Sequence, residues 1–242
     1  MPPFLSIIIP AYNEEHRLPG SLKRILAFLA SQPLESEILV VENGSTDRTA
    51  EVAEAFGQQH PNLRVLREQA RGKGLAVRRG MLAAIGEYRF MCDADLSMPI
   101  EHVTQFLPPL LPDVPIAIAS REAPGAVGSN EPAHRHWIGR GFNLLVRLLA
   151  VPGLHDTQCG FKCFRADAAE ELFRLQVLNG WTFDVEVLFL ARRKGYPIVE
   201  VPIAWTHVPG SRVRLVRDSL AMLTDLVRIR WYATRGRYGP PR

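Results

Sequence analysis

Two aspartates, Asp93 and Asp95, follow an apolar run in the stretch GEYRFMCDADLSMP, with only Ala94 between them. Two like charges this close repel each other unless a cation or strong donors lie between them. Carboxylates suit a hard cation, and Mg²⁺ takes one or two of them and completes its shell with substrate phosphates. The pair therefore predicts a site for Mg²⁺ or Mn²⁺ beside a nucleoside diphosphate. An isolated Asp-x-Asp is also common in solvated turns, so its surroundings decide between the two interpretations.

The elements that position this pair alternate between strands and helices. Strands are predicted at LSIIIP, EILVVENGS, LRVLRE and YRFMCDAD. Helices are predicted from Ser21 to about Ser31, after a cap at Ser45 or Thr46, over LAVRRGMLAAIG as far as Gly86, and over IEHVTQFLPPL after Pro99. At the end of its strand, the aspartate pair would face one side while Ala94 turns into the core.

Continuous apolar strands joined by helices predict an α/β fold with a mostly parallel, Rossmann-like sheet flanked by helices. Ligands of such sheets bind at the carboxyl ends of the strands. The loops AYNEE, ENGSTD, RGKG and DADLS are therefore expected to meet at one edge, around one ligand.

The second half alternates less regularly. Helices are predicted at RGFNLLVRLLA, ADAAEELFRL and FDVEVLFLARRKG, a loop at VPGLHDTQCGFKCF and one strand at PIVEVPIAWTHV. A last helix from Val213 to Tyr232 places Val216, Leu220, Leu223 and Val227 on one stripe. We expect residues 1–212 to form one domain, large enough to hold a catalytic site, and residues 213–242 to form a basic amphipathic segment.

Composition excludes several classes of protein. The 242 residues carry a net charge of +4, and the segment from residue 211 onward contains eight arginines and only two aspartates. Three cysteines do not form a disulfide framework and favour a reducing compartment. The apolar start lacks a basic n-region, so we expect no secretory signal, and no apolar run approaches the ~20 residues of a membrane span.

In their order and spacing, the segments IIIPAYNEE, VVENGSTDRT, GKGLAVRRG and MCDADLS resemble the family 2 inverting glycosyltransferases, whose fold is called GT-A. The segments DTQCGFKCF, WTFDVEVLFLARRKGYPIVEVPIAW and HVPGSRV resemble the polyprenyl-phosphate sugar transferases within that family, especially the dolichyl-phosphate glucosyltransferases. The resemblance extends from about Leu5 to Val213. It implies transfer of glucose from UDP-glucose to a polyprenyl phosphate, with inversion.

The resemblance also assigns the nucleotide-sugar site. Its residues would be Pro10, Ala11, Tyr12, Glu14, Glu42, Asn43, Gly44, Lys73, Asp93, Ala94, Asp95, Gln158 and Arg212, with Asp93 and Asp95 as metal ligands. The Glu42–Asn43 pair departs from the commoner Asp-Asp of the family. Lys73 lies in RGKG, which lacks the spacing of a P-loop. It would either approach the donor or begin a helix as a solvated side chain.

The acceptor determines whether a base is needed. A phosphate monoester is already largely ionised near neutrality, so it needs arginines instead of a base. The resemblance assigns this role to Arg121, Arg135 and Arg140. Asp184 and Glu186 are two residues apart and would leave a helix on different sides. We expect Asp184 to be the third catalytic residue, recognising a sugar hydroxyl, unless it is only a structural carboxylate at a helix start.

A polyprenyl chain stays in the bilayer, so we expect a peripheral enzyme on the cytoplasmic face of a membrane. The C-terminal helix would either lie in the interface or pack on the sheet with a solvated basic face. Nucleic acid is not expected, because no aromatic platform accompanies the arginines. The alternatives are a GDP-mannose-dependent polyprenyl-phosphate mannosyltransferase, a family 2 transferase acting on a hydroxyl, and a non-catalytic nucleotide-sugar-binding membrane module.

Overall fold

The computed structural model describes residues 2–129, 143–147, 149–206 and 215–240. The first half contains β1 (Leu5–Ala11), α1 (Leu18–Ala30), β2 (Ser36–Asn43), α2 (Thr49–Gln59), β3 (Leu63–Glu68), α3 (Lys73–Ala83), β4 (Tyr88–Cys92) and a 3-10 helix (Ile100–Phe106). The second half contains β5 (Ile116–Ser120), β6 (Val127–Ser129), β7 (Phe161–Arg165), α4 (Ala166–Leu175), α5 (Phe183–Arg193), β8 (Ile198–Pro202), β9 (Ala204–Thr206) and α6 (Leu215–Thr234). Residues 143–147 are also helical.

A seven-stranded sheet in the order β3-β2-β1-β4-β7-β5-β8 forms the centre of the molecule. Strands β1 to β4 pair in parallel, as do β5 and β8, whereas β7 runs antiparallel to both of its neighbours. The predicted α/β fold with a mostly parallel sheet is confirmed. The loop predicted through FKCF is wrong, because this short run is the central antiparallel strand β7.

Both faces of the sheet are covered, as its apolar strands predict. Alternate residues of one strand enter different clusters: Ile8 packs with Leu39 on one face, and Ile7 packs with Ile38 on the other. Helices α3 to α6 contribute to the first cluster, whereas α1 and the 3-10 helix contribute to the second. Because β1 to β4 run parallel, their carboxyl ends lie at one edge of the sheet.

Several predicted boundaries are wrong. Helix α1 begins at Leu18, three residues before Ser21, because Pro19 is well suited to a first helical turn. Helix α2 begins at Thr49, and the predicted caps Ser45 and Thr46 lie before it in the loop. The carboxylate of Asp47 instead accepts the backbone amide of Thr49 at 3.0 Å.

Three further elements differ from the prediction. Helix α3 ends at Ala83, before Gly86. Gly86 instead packs against β1, where a Cβ would lie 2.5 Å from the Ser6 hydroxyl oxygen. A 3-10 helix replaces the α-helix expected after Pro99, and the prolines that follow it disfavour helical extension. The strand predicted at PIVEVPIAWTHV is divided between β8 and β9, which belong to different sheets.

Helix α6 packs on the rest of the chain through Met222, Leu226 and Ile229, which belong to the first core cluster. Two residues of the predicted apolar stripe, Leu220 and Val227, face outward and are 62% and 65% exposed. The boundary predicted at residue 212 lies outside the described residues. Within the described residues, no helix is long and apolar enough to cross a membrane.

Candidate active site

The loops that follow β1 and β2 are joined by hydrogen bonds. The backbone amide of Asn13 donates to the Ser45 hydroxyl at 3.0 Å, and the Asn13 side-chain oxygen accepts the Thr46 amide at 2.8 Å. The Glu14 amide donates to the Thr49 hydroxyl at 2.7 Å. Ser45 and Thr46, which the sequence suggested as helix caps, therefore hold the two loops together.

The loop after β3 closes against the same group. Gly44 has a φ of +74°, and a Cβ there would lie 2.9 Å from the Gln69 carbonyl oxygen. A side chain at this position would strain the backbone and separate the loops. The Arg71 guanidinium lies over the Tyr12 ring, 5.2 Å from its centroid. Lys73 and Asp93 join this loop to the last one, so the prediction that four loops meet at one edge is confirmed.

The Asp-x-Asp pair lies just beyond β4, which ends at Cys92. The expectation that the pair belongs to the strand itself is wrong, although the alternation of the strand continues through it. Ala94 is buried, and its carbonyl accepts the Ser21 hydroxyl at 2.6 Å, while Asp93 and Asp95 are partly exposed. The Asp95 carboxylate accepts the Ser97 amide at 3.0 Å.

Lys73, the first residue of α3, reaches the aspartate pair. Its ammonium lies 2.6 Å from Asp93 Oδ1 and 5.5 Å from the Trp181 ring centroid, and its side chain is 17% exposed. Burial opposes the charge of Lys73, but Asp93 and Asp184 outweigh it and raise the pKa of the amine. The alternative of a solvated lysine is therefore wrong.

Gly160, just before β7, leaves room for Asp93. A Cβ at this position would lie 1.8 Å from Asp93 Oδ2 and 2.3 Å from its Cγ. Any larger residue would displace the carboxylate. Gly160 could not be predicted from the sequence, because its partner lies 67 positions earlier in the chain.

Asp184, in the first turn of α5, forms a buried ion pair with Lys162 of β7. The two charged atoms are 2.7 Å apart, and the residues are 4% and 1% exposed. The Lys162 ammonium also donates to the Cys159 carbonyl. Burial raises the pKa of Asp184, while Lys162 and Lys73 oppose that rise. Lys162 was not among the predicted site residues, although a lysine inside the apolar run FKCF is a signal of a buried charge.

Glu186 leaves helix α5 in another direction, as the spacing of two residues predicts. Its carboxylate accepts the backbone amides of Val177 and Leu178 and the Tyr238 hydroxyl, the last at 2.6 Å. Burial raises the pKa of Glu186, opposed by these hydrogen bonds. Of the two acidic residues on α5, Asp184 is the one whose pKa is affected by the charges of Lys73 and Asp93.

The predicted nucleoside-binding residues follow β1 and β2. Pro10 and Ala11 end β1, and Ala11 is buried. The Glu42 carboxylate accepts the Ser45 amide at 2.5 Å, and Asn43 is buried at the end of β2. Both carboxylate oxygens of Glu14 accept the Arg17 guanidinium, at 2.6 and 2.8 Å. Nucleoside contacts for these side chains stay predictions.

Arg121 follows β5 and forms a forked ion pair. Two of its guanidinium nitrogens donate to Asp156, at 2.6 and 3.1 Å, and its backbone amide donates to the same carboxylate. Burial opposes ionisation of Asp156, but Arg121 outweighs it and lowers the pKa of the carboxyl. Acceptor binding by Arg121 stays a prediction. Arg135, Arg140 and Arg212 lie outside the described residues.

Gln158, predicted to bind the nucleotide sugar, lies in the same loop as Asp156. Its backbone amide donates to the Asp156 carboxylate at 3.1 Å. Its side-chain nitrogen lies 4.0 Å from the sulfur of Met222 on α6. Gln158 therefore connects the loop to the C-terminal helix.

Asp93 and Asp95 are suitable ligands for Mg²⁺ or Mn²⁺. They offer carboxylate oxygens at the open edge of the sheet, and Gly160 keeps space around Asp93. Among the described residues, no group of three or more His, Cys, Asp or Glu side chains could hold a metal ion. A divalent cation here would depend on oxygens from a ligand, as expected for Mg²⁺ beside a diphosphate.

Family comparison agrees with this arrangement. The model of glycosyl transferase family 2 matches residues 6–173, which include β1 to β4 and the Asp-x-Asp pair. The chain belongs to this family, and it is a glycosyltransferase with a GT-A type of fold.

Three similar proteins from different organisms share the same name. A dolichyl-phosphate beta-glucosyltransferase of Drosophila melanogaster is 39% identical over 93% of this chain and 74% of its own. The Dictyostelium discoideum and human proteins of the same name are 36% and 34% identical, over 94% and 93% of this chain and 74% of each relative.

Solved structures share the fold. Mannosyl-3-phosphoglycerate synthase from Rubrobacter xylanophilus aligns with a TM-score of 0.69 and 21% identity, covering 99% of this chain and 77% of its own. Glucosyl-3-phosphoglycerate synthase from Mycobacterium tuberculosis, solved in complex with Mn²⁺, UDP and phosphoglyceric acid, aligns with a TM-score of 0.66 and 20% identity, covering 99% and 80%.

Proposed function

We propose that this protein transfers glucose from UDP-glucose to a polyprenyl phosphate of the dolichyl type, with inversion at the sugar. An oxygen of the acceptor phosphate forms a bond to the anomeric carbon. The bond between that carbon and the diphosphate breaks, and its electron pair leaves with UDP. No proton needs to be removed, because the acceptor phosphate is already largely ionised near neutral pH.

One observation carries this proposal: the Lys73–Asp93 ion pair joins two loops beside Asp95, at the edge where ligands of such sheets bind. Relatives that are 34–39% identical over nearly the whole chain are named dolichyl-phosphate beta-glucosyltransferases, which supports both the sugar and the acceptor. The sequence motifs resemble the same group.

Negative charge develops on the departing diphosphate, and the site must stabilise it for the reaction to proceed. Lys73 offers a desolvated ammonium beside Asp93, where cationic stabilisation is stronger than in water. Asp93 and Asp95 would hold Mg²⁺ or Mn²⁺, and the bound ion supplies electrostatic stabilisation of the same charge. Arg212 is assigned to the diphosphate by sequence resemblance.

Sugar and acceptor binding involve the second half of the chain. Asp184 has a carboxylate that Lys162 orients within the core, and we assign it to a hydroxyl of the transferred sugar. Arg121, Arg135 and Arg140 are assigned to the acceptor phosphate, because guanidinium groups bind phosphate in forked geometry. Among them, Arg121 is held in place by Asp156.

We further place the reaction at the cytoplasmic face of a membrane. The acceptor's hydrocarbon chain stays in the bilayer, so the protein must come to it. The three cysteines are buried free thiols, which agrees with a reducing compartment.

The test is product formation by the purified protein with a short polyprenyl phosphate and either Mg²⁺ or Mn²⁺. UDP-glucose, GDP-mannose and UDP-N-acetylglucosamine are supplied separately, and we expect a glucosyl lipid from UDP-glucose. Asp93→Asn should lower turnover by about 10²-fold or more, because the divalent ion that would stabilise the departing diphosphate loses a carboxylate ligand. Glu54→Gln is the matched control, since this carboxylate pairs with Arg67 on the surface, at 2.7 Å.

Each outcome decides a part of the proposal. Transfer from GDP-mannose alone would retain the mechanism and replace the sugar. Transfer from none of the three donors, by a folded protein with either metal, would overturn the proposed reaction. Equal turnover of Asp93→Asn and Glu54→Gln would remove Asp93 from the site. Turnover that survives complete removal of divalent cations would contradict the metal assignment.

A further inference from the structure

Helix α6 carries an apolar surface that faces away from the core. Its residues are Leu220, Leu223, Val227 and Trp231, here called the outer stripe. Leu220, Val227 and Trp231 are 62%, 65% and 52% exposed, and Leu223 is partly exposed. Spacings of three and four residues place all four on one side of the helix, over about 16 Å of its length.

Leu220, Val227 and Trp231 of the outer stripe are not needed for packing, whereas Leu223 is partly buried against the core. Met222, Leu226 and Ile229 already bury the opposite side of α6 in the core. A surface helix normally has one apolar face and a polar one, and contiguous exposed apolar residues mark interaction sites. Nothing within the described residues covers Leu220, Val227 or Trp231. A shallow depression along the outer stripe is lined by Leu223, Val227 and Trp231 with Thr224 and Arg228.

The charges around the outer stripe indicate what kind of surface it fits. Arg228, Arg230, Arg235 and Arg237 lie on or just beyond α6, whereas Asp225 is the one acidic residue between 220 and 240. The Arg235 guanidinium lies 5.3 Å from the Trp231 ring centroid. Apolar side chains with tryptophan and arginine beside them suit the boundary between lipid headgroups and acyl chains.

The same arginines argue against a second copy of the chain. In a symmetric dimer, each copy would present the same patch, so the arginines of both copies would be brought together. An anionic bilayer offers the opposite charge, so each basic residue near such a surface adds to the attraction.

The inner side of α6 is connected to the candidate active site. Asp225 accepts the Thr182 hydroxyl at 2.9 Å, just before the helix that carries Asp184. Met222 contacts Gln158, and beyond the helix Tyr238 donates to Glu186. A surface bound to the outer stripe would therefore be held at a defined position relative to the site.

From these observations we infer that the outer stripe is the surface through which this protein binds an anionic phospholipid bilayer, with α6 lying in the plane of the headgroups. The choice of a bilayer rests partly on the proposed function, because a polyprenyl phosphate acceptor is found there. The binding itself requires no acceptor and no donor.

The experiment compares two variants of the full chain by co-sedimentation with phospholipid vesicles that contain no polyprenyl phosphate. The first combines Leu220→Gln, Val227→Gln and Trp231→Gln. The second combines Ile85→Gln and Leu110→Gln, whose side chains are 59% and 68% exposed outside α6. We expect binding to vesicles of phosphatidylcholine with phosphatidylserine to fall about tenfold or more in the first variant and to persist in the second.

Vesicles of phosphatidylcholine alone should bind the unchanged protein more weakly, and added salt should reduce the difference between the two compositions. Equal vesicle binding by the unchanged protein and the outer-stripe variant would overturn the inference. So would light scattering that shows a dimer for the unchanged protein and a monomer for the variant.

Transfer to a short-chain acceptor in solution separates this inference from the proposed function. The outer-stripe variant should retain that transfer, because its three substitutions are exposed and lie outside the site. If the unchanged protein transferred no sugar at all but bound vesicles through the outer stripe, the proposed function would fail and the bilayer surface would stand.

Discussion

The buried pair of Lys162 and Asp184 permits a quantitative prediction. Both residues are almost completely excluded from solvent, and their charged atoms are 2.7 Å apart. Lys162→Met removes the ammonium and retains most of the side-chain volume. The Asp184 carboxylate would then be buried with its nearest cation missing.

Removing one partner of a buried pair costs about 3–5 kcal/mol. We expect about 3 kcal/mol for Lys162→Met at neutral pH, the lower end of that range, because Lys73 also stabilises the Asp184 carboxylate. Asp184→Asn should destabilise similarly, since it leaves the buried Lys162 ammonium without a counter-ion. The double variant has no unpaired charge and should be no less stable than either single variant.

The assay is urea unfolding of the unchanged protein, the two single variants and the double variant. The double-mutant cycle should give a coupling energy of about 3 kcal/mol or more between the two positions, because the double variant should lose no more stability than one single variant. Each protein should also be measured at a lower pH. Loss of Lys162 raises the pKa of Asp184 further, so acidification lets the carboxyl take up a proton, and Lys162→Met should then be less destabilising.

Two results would refute this reasoning. Additive single effects would mean that Lys162 and Asp184 do not stabilise each other. A penalty for Lys162→Met that grows on acidification would mean that the buried carboxylate is not the source of the cost.

Two further predictions concern the same edge of the sheet. Gly160→Ala places a methyl group 1.8 Å from Asp93 Oδ2. Turnover should fall about 10²-fold, because the methyl group displaces the carboxylate. Initial rates within about twofold of the unchanged protein would contradict this prediction. Asp156 has a pKa below its ordinary value, because Arg121 outweighs the effect of burial. The ionised carboxylate therefore stabilises the fold fully above pH 3.8, the ordinary pKa of the group. This contribution is lost as the pH falls through the lowered pKa. Asp156→Asn should therefore destabilise by about 2 kcal/mol at pH 7 and by progressively less below pH 4 in thermal unfolding, and a difference that is constant with pH would contradict it.

Much of the first half could be predicted from the sequence. Its strands are continuous runs of apolar residues, which are typical of strands covered on both faces, and the helices between them show a clear 3.6-residue period. Helix boundaries were less accurate, because a cap depends on tertiary contacts. Ser45 and Thr46 have the residue types of a cap, yet they bond to Asn13 of another loop.

The second half was harder to predict for a physical reason. β7 is short, contains Lys162 and follows a loop, so neither its period nor its composition distinguishes it from that loop. The buried charge of Lys162 is stabilised by Asp184, which belongs to a helix that comes later in the chain. The antiparallel direction of β7 depends on its position between β4 and β5, which no local pattern specifies.

The sequence by itself determined that Asp93, Asp95 and Lys73 would lie at one edge of the sheet, because parallel strands joined by helices bring their carboxyl ends together. Only the tertiary structure decided which residues are partners: that Lys73 binds Asp93, that Lys162 neutralises Asp184, and that Gly160 makes room for the Asp93 carboxylate. It also decided which side of α6 is buried. A helical period shows that apolar residues share a side, but whether that side faces the core depends on elements distant in the chain.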